Sequence, residues 1–184
     1  IYGVDLGANT IKVYSYQKNK VYAEKNMVAV KDKKRVLAVG DEAYEMFEKA
    51  PDNIVVESPM ANGMIADIVK AEVSLYSLVK KINSWQGFGS TMYFAVPTDL
   101  TQIEKRAYNS MANGGWLQNN KVRIVEKPIA DAIAMDISIK KTKGSMIVNI
   151  GAQSTEISVI ADGKVIISKI LQLGGRQIDL EICK

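Results

Sequence analysis

Alternating apolar and polar residues at both ends of the chain predict two similar three-stranded meanders. The first meander has a glycine-containing turn after its first strand, and its strands are predicted at Ile1–Val4, Ile11–Tyr16 and Val21–Lys25. The second meander has the same strand–turn–strand order and is predicted at Ser145–Ile150, Thr155–Ile160 and Lys164–Ser168. This likeness suggests that the second meander begins a second copy of the first.

The middle of the chain alternates between helical and extended patterns. Apolar residues between Ile65 and Ile82 recur at helical spacing and predict the longest helix. Shorter helices are predicted at Asp41–Ala50, at Thr101–Ala112 with a capping box at its start, and at Pro128–Met135 with a proline in its first turn. Extended segments are predicted at Met27–Val30, Val36–Val39, Thr91–Val96 and Val122–Val125. This order is typical of an α/β protein with a mixed β-sheet and flanking helices.

Composition narrows the class of protein. The 184 residues are 47% hydrophobic and 24% charged, which is ordinary for a globular domain with a substantial core. Basic and acidic residues are interspersed, so the net charge of +4 indicates a solvated surface and no nucleic-acid partner. Three features predict a cytoplasmic protein: Cys183 is the lone cysteine, no apolar run is long enough to span a membrane, and no signal peptide precedes Asp5. With no histidine, a Ser-His-Asp triad and histidine-ligated zinc are excluded, while magnesium held by oxygens is still possible.

Each meander contains a small-residue turn that suits phosphate. The first turn lies in the segment Val4–Lys12, and the second lies in Val148–Glu156. The backbone N–H groups of a glycine-containing hairpin turn point at whatever lies above it, and they suit phosphate oxygens. One such turn is weak evidence. Two of them in duplicated surroundings indicate a nucleotide held between two similar folds.

The paired turns resemble those of the actin-like ATPase superfamily, which includes actin, the seventy-kilodalton heat-shock chaperones, sugar kinases and the bacterial MreB proteins. Within it the chain is most similar to MreB, on the segments Ala38–Ala43, Ala50–Val55 and Pro59–Asp67. A further similar piece is Ala95-Val96-Pro97 followed by Ile103–Ala107. The resemblance runs from Gly3 to about Glu181. It implies an actin-like ATPase fold, which is ribonuclease H-like, with ATP and Mg²⁺ bound between two lobes.

The resemblance also implies how the chain is divided. Residues 1–25 and 66–143 are expected to form a first large subdomain, and residues 26–65 a small inserted subdomain. Residues 144–184 are expected to begin a second large subdomain. Because MreB proteins have two whole lobes, the second lobe is expected to be incomplete in this chain.

The resemblance assigns expected roles to residues of both turns. Asp5 is similar to the aspartate that holds the waters around magnesium, and Lys12 to a phosphate-contacting lysine of actin, with a plain surface lysine as the alternative. The first phosphate turn is expected to be Gly7, Ala8, Asn9 and Thr10. The second set of nucleotide-binding residues is expected to be Gly151, Ala152, Gln153, Ser154 and Thr155, together with Gly174 and Gly175.

Two positions depart from the MreB pattern where the hydrolysis of ATP is concerned. MreB has Glu-Glu-Pro at the start of a helix, and the glutamate before the proline orients the attacking water. Lys127 stands at that position in this chain, so the carboxylate is replaced by an ammonium group. Asn149 replaces the aspartate of the second loop and lacks its charge. The two replacements predict weak or absent hydrolysis, unless another carboxylate compensates, so an actin-like fold does not by itself predict an enzyme here.

Two large apolar residues, Trp85 and Phe88, are predicted to lie in the loop after the longest helix. Such residues usually pack in a core or a hairpin. In MreB, however, the same loop carries apolar residues that enter the membrane. Lys80 and Lys81 lie close by in sequence and could meet anionic headgroups.

The sequence is therefore interpreted as a divergent MreB-like protein. The resemblance implies a nucleotide-binding and filament-forming protein that is cytoplasmic, peripheral at the inner membrane, and guides cell shape and wall synthesis. Its expected partners are further copies of itself, the inner membrane surface and wall-synthesis or shape-determining proteins. The alternative is a non-polymerising actin-fold adaptor that binds a partner peptide in pilus or division assembly.

Overall fold

Short strands and helices alternate along the chain in the computed structural model, which describes residues 1–61, 63–83, 89–98, 100–115, 117–140 and 143–184. In chain order the elements are β1 (Tyr2–Leu6), β2 (Thr10–Ser15), β3 (Lys20–Lys25), β4 (Val28–Lys31), β5 (Arg35–Val39), α1 (Asp41–Glu45), β6 (Ile54–Glu57), β7 (Met60–Ala61), β8 (Met64–Ile65), α2 (Ile68–Ile82), β9 (Thr91–Val96), α3 (Gln102–Asn113), β10 (Lys121–Glu126), α4 (Lys127–Ala134), β11 (Ser145–Ile150), β12 (Thr155–Ala161), β13 (Lys164–Leu171) and α5 (Gly175–Ile182).

The first sheet has the strand order β10-β9-β1-β2-β3 and is mixed. β1, β2 and β3 are antiparallel, whereas β9 and β10 run parallel to β1. Alternate residues of β1 and β9, among them Val4 and Phe94, are buried against α2 and α3, which contribute Leu75 and Met111. Because β1, β9 and β10 are parallel, their carboxyl ends meet at one edge of the sheet. That edge carries the candidate site.

A second, antiparallel sheet has the strand order β11-β12-β13. Helix α4 joins the two sheets, because it begins directly after β10 while its residue Ala132 packs with Ile147 and Ile160 of the second sheet. The remaining sheet of three strands, β5-β4-β6, packs with α1 around the buried Ala43. β7 and β8 pair as a short antiparallel ladder beside the first sheet, and Met60 of β7 belongs to its core.

The predicted elements and the observed ones differ mainly at helix ends. The two meanders and the capping box of Thr101 are confirmed. The predicted helix 41–50 ends at Glu45, and Glu48 has a φ of 61°, which interrupts helical geometry. Helix α2 begins at Ile68 because the side chain of Asp67 accepts a hydrogen bond from the Lys70 N–H and caps it. β6 and α5 were not predicted, since β6 has only four residues and α5 begins at a glycine pair that usually marks a turn.

In the residue ranges described above, no helix is both long enough and apolar enough to span a membrane. Trp85 and Phe88, on which the membrane prediction depends, lie outside the described residues. The division into residues 1–25 with 66–143, 26–65 and 144–184 stays a prediction.

Candidate functional site

Both glycine turns form the same hydrogen-bonded hairpin. The N–H of Gly7 donates to the carbonyl of Thr10 at 3.1 Å, and the N–H of Gly151 donates to the carbonyl of Ser154 at 2.9 Å. The turns are tight, because a Cβ atom on Gly7 would lie 2.7 Å from that carbonyl oxygen and one on Gly151 would lie 3.0 Å from its counterpart. Any larger residue at Gly7 would therefore have to open the turn.

The two turns line one cleft of about 400 Å³. The structure brings most of the predicted site residues to this cleft: Asp5, Gly7, Ala8, Asn9, Thr10, Lys12, Lys127, Asn149, Gly151, Ala152, Gln153 and Ser154. Three predicted residues do not line it: Thr155, Gly174 and Gly175. The cleft is also lined by residues that were not singled out as site residues from the sequence, among them Gly63, Tyr108, Asp131 and Glu156.

The three predicted residues that do not line the cleft connect the second turn to the segment after β13. The Thr155 hydroxyl donates to the carbonyl of Leu173 at 2.7 Å, and the N–H of Gly175 donates to the carbonyl of Gly151 at 2.9 Å. A Cβ on Gly174 would lie 2.7 Å from the backbone of Ala152, so only glycine fits this close approach. These contacts hold the second turn against the segment that follows β13.

The first turn is supported in a different way, by the buried side chain of Asn26. Its Nδ2 atom donates to the carbonyl of Gly7 at 2.8 Å, and its backbone N–H donates to the carbonyl of Asn9 at 3.0 Å. Asn26 follows β3 directly, so the end of the first meander anchors its own first turn. These two hydrogen bonds satisfy two carbonyls of the turn and so help to hold its shape.

Three charged side chains meet at the carboxyl end of β1. Lys127 Nζ lies 2.9 Å from Asp5 Oδ1, and Lys12 Nζ lies 3.3 Å from Asp5 Oδ2. Burial raises the pKa of Asp5, but the charge and hydrogen bond of Lys127, followed by those of Lys12, outweigh burial and hold the pKa below its usual value. Asp5 is thus ionised at neutral pH, with an ammonium group on each oxygen.

A second polar pair lies opposite, between α4 and β11. The Asn149 amide donates to Asp131 Oδ2 at 2.6 Å. Asp131 was missed in the sequence, although it lies four residues after Lys127 and therefore on the same face of α4, which is a signal that could have found it. Glu126, by contrast, is exposed and lines a separate depression with Val96. Asp131 is thus the carboxylate that α4 brings to the cleft.

Glu156 connects the first sheet to the sheet β11-β12-β13 at the wall of the cleft. Its buried carboxylate accepts hydrogen bonds from the hydroxyls of Thr98, after β9, at 3.0 Å and of Ser168, on β13, at 2.9 Å. Nearby Tyr108 is buried against Phe94, and burial, with the charge of Asp5, raises the pKa of its phenol. Tyr108 therefore stays neutral under ordinary conditions.

The residues at Asp5 do not fit a hydrated magnesium ion as they stand. Magnesium sites in proteins use one or two carboxylates together with waters and phosphate oxygens. Both oxygens of Asp5 already accept from lysines, and Asn149 contributes no charge. Across the described ranges, no group of three or more histidine, cysteine, aspartate or glutamate residues could hold a metal ion.

The chain matches the family model described as MreB/Mbl protein over residues 1–184. It is 34% identical over 184 residues to the cell shape-determining protein Mbl of Bacillus subtilis, covering 98% of this chain and 54% of that protein. It is 32% identical over 183 residues to the cell shape-determining protein MreB of Escherichia coli K12, covering 96% of this chain and 52% of that protein.

The solved structures that resemble this chain include MreB5 of Spiroplasma citri. The form bound to ADP superposes with a TM-score of 0.88 at 25% identity, covering 98% of this chain and 54% of that one. The form bound to AMPPNP gives 0.86 at 27% identity with the same coverage. The fold is therefore that of the actin-like ATPases, as expected. More narrowly, the chain belongs to the MreB/Mbl family, and it spans about half the length of the curated relatives that it matches.

Proposed function

We propose that this chain is the nucleotide-binding part of an MreB-like cytoskeletal protein that takes ATP. The observation that carries the proposal is the pair of hairpin turns, at Gly7 and Gly151, on one cleft. Both turns keep a tight shape that suits phosphate oxygens. MreB5 of Spiroplasma citri, which shares the fold, was solved with ADP and with AMPPNP. The magnesium ion expected with ATP would have to reach Asp5 past two ammonium groups.

The proposed protein forms filaments and works at the inner membrane in cell shape and wall synthesis. Membership of a family whose relatives are named cell shape-determining proteins supports this role. For membrane contact we propose Trp85 and Phe88, with Lys80 and Lys81 as cations at the end of α2 that precedes them. Lys81 also pairs with Glu24 at 2.7 Å, and the ammonium group of Lys80 lies 5.8 Å from the centre of the Tyr76 ring on the same helix.

We propose further that this protein hydrolyses ATP weakly or not at all. Lys127 is bound to Asp5 and cannot orient a water as a carboxylate would. Asn149 is neutral, and its amide is turned toward Asp131. Asp131 is the carboxylate that could compensate, but it already accepts this short hydrogen bond, which ties up part of its capacity as a base.

Electron microscopy of the whole protein with and without ATP tests the proposal. Filaments in the presence of nucleotide are the expected result. Nucleotide binding measured alongside, by fluorescence of a labelled ATP, shows whether the cleft is used. A protein that binds a partner peptide and forms no filament under any nucleotide condition would instead be the non-polymerising adaptor, and the cytoskeletal proposal would be abandoned.

The affinity for ATP is expected to weaken at least tenfold in Gly7→Val, because the added Cβ would open the turn.

A further inference from the structure

Lys127 is the inner of two cations at Asp5. The side chains of Lys127 and Asp5 are 25% and 27% exposed, whereas that of Lys12 is 54% exposed. The contact of Lys127 is also shorter, at 2.9 Å against 3.3 Å. A charged hydrogen bond strengthens as water is excluded from it. Lys127 is therefore the stronger partner of Asp5, and Lys12 is the partner more exposed to solvent.

The backbone that carries Lys127 is held in place on both sides. Lys127 opens α4 and is followed by the buried Pro128, whose ring fixes its own φ in the first turn of the helix. One turn later, Ala132 is fully buried in the core of the second sheet. On the other side, β10 is paired along its length with β9. The ammonium group of Lys127 consequently contacts Asp5 from a rigid stretch of backbone, unlike that of a freely moving surface side chain.

The other acidic groups of the cleft have partners of their own. Asp131 accepts from Asn149, and Glu156 accepts from the hydroxyls of Thr98 and Ser168. A divalent cation brought to Asp5 would lie within a few ångströms of two ammonium groups, and like charges at that distance repel strongly. A polyphosphate, in contrast, is attracted by both ammonium groups. The ammonium groups of Lys12 and Lys127 therefore already place positive charge at Asp5, where a bound metal ion would otherwise place it.

We propose that the ammonium group of Lys127 takes the place of a divalent cation at Asp5, so that the cleft binds the nucleotide polyphosphate without magnesium. This inference rests on the nucleotide binding proposed above. An ammonium group has three N–H donors, and the bond to Asp5 uses one of them. The remaining donors of Lys127 and Lys12 bind phosphate oxygens beside the N–H groups of the two turns.

The test is the affinity of the whole protein for ATP, measured by titration calorimetry in EDTA and again in millimolar magnesium chloride. For the wild type, the two dissociation constants are expected to agree within about threefold. Lys127→Met keeps the length of the side chain and removes its charge, so ATP binding in EDTA is expected to weaken about ten- to a hundredfold, the range of one charge-assisted hydrogen bond. Lys127→Glu places a second carboxylate beside Asp5 and is expected to bind ATP at least tenfold more tightly with magnesium than without.

A matched control and a metal readout complete the experiment. Lys18→Glu makes the same charge change in the exposed turn after β2, at the end of that strand away from the cleft, and should leave both constants unchanged. Manganese paramagnetic resonance should detect nucleotide-dependent metal binding in Lys127→Glu and none in the wild type. A wild type that binds ATP only with magnesium overturns this inference alone. A wild type that binds ATP in neither buffer overturns the proposed nucleotide binding and, with it, the inference.

Discussion

Replacing Lys127 with methionine should lower the stability of the fold as well as affect nucleotide binding. Methionine keeps the aliphatic stem but leaves Asp5 with Lys12 as its remaining cation. Exposed ion pairs contribute up to about 1 kcal/mol, and breaking a fully buried pair costs about 3–5 kcal/mol. The Lys127–Asp5 pair lies between these limits, with side chains 25% and 27% exposed. We therefore expect the free energy of unfolding at pH 7 to fall by about 1–3 kcal/mol.

The pH dependence of this loss follows from the lowered pKa of Asp5. Burial raises that pKa, but Lys127 and Lys12 together lower it by more than burial raises it. The folded-state pKa therefore lies below the unfolded value of about 3.9. The stabilisation that comes from ionised Asp5 is thus present above the unfolded-state pKa, and it is lost as pH falls through the folded-state pKa. The difference between wild type and Lys127→Met should accordingly be largest near neutral pH and shrink in acid.

Urea unfolding of both proteins at pH 7 and near pH 3, followed by circular dichroism, measures the effect. Lys184→Met is the matched control, because Lys184 pairs with Glu181 while both side chains are about 70% exposed. That variant should lose under about 1 kcal/mol. Equal stability of Lys127→Met and wild type at pH 7, or a difference that grows as the pH falls, would refute the reasoning about Asp5.

Three further predictions concern hydrolysis, the membrane and a helix cap. Lys127→Glu with Asn149→Asp should raise ATP turnover, by on the order of 10²–10⁴ for each restored group, and rapid turnover by the wild type with no gain in the variant would contradict the assignment. Trp85→Ala with Phe88→Ala should reduce co-sedimentation with anionic liposomes, since each ring contributes roughly 1–3 kcal/mol when it enters the interface; equal binding would mean that the loop is structural. Thr101→Ala should lower the free energy of unfolding by about 1 kcal/mol, because the Thr101 side chain accepts a hydrogen bond from the Glu104 N–H at the start of α3. An unchanged midpoint of thermal or chemical unfolding would show that the cap contributes nothing.

Local pattern was sufficient for most of the fold. Strands β9 and β11 begin and end where alternation predicted, since each is bounded by clear turn or proline signals. Helix α2 began three residues later than its apolar spacing suggested, because Asp67 caps the chain at that point. Gly174 and Gly175 were predicted to bind nucleotide, which stays a prediction, and in the structure they pack on the backbone of the second turn. Local sequence does not reveal which later segment will pack on a turn.

The sequence by itself determined the two meanders and their turns, because these depend on residue type and on spacing along the chain. Tertiary structure alone decided what Lys127 and Asn149 contact. Asp5 and Lys127 are 122 positions apart, and they meet because β1 and β10 flank β9 in one parallel arrangement, which brings their carboxyl ends to the same edge. Asn149 finds Asp131 because α4 leaves that edge and packs on the second sheet. Pairing across such distances depends on which strands become neighbours, and no local pattern carries that information.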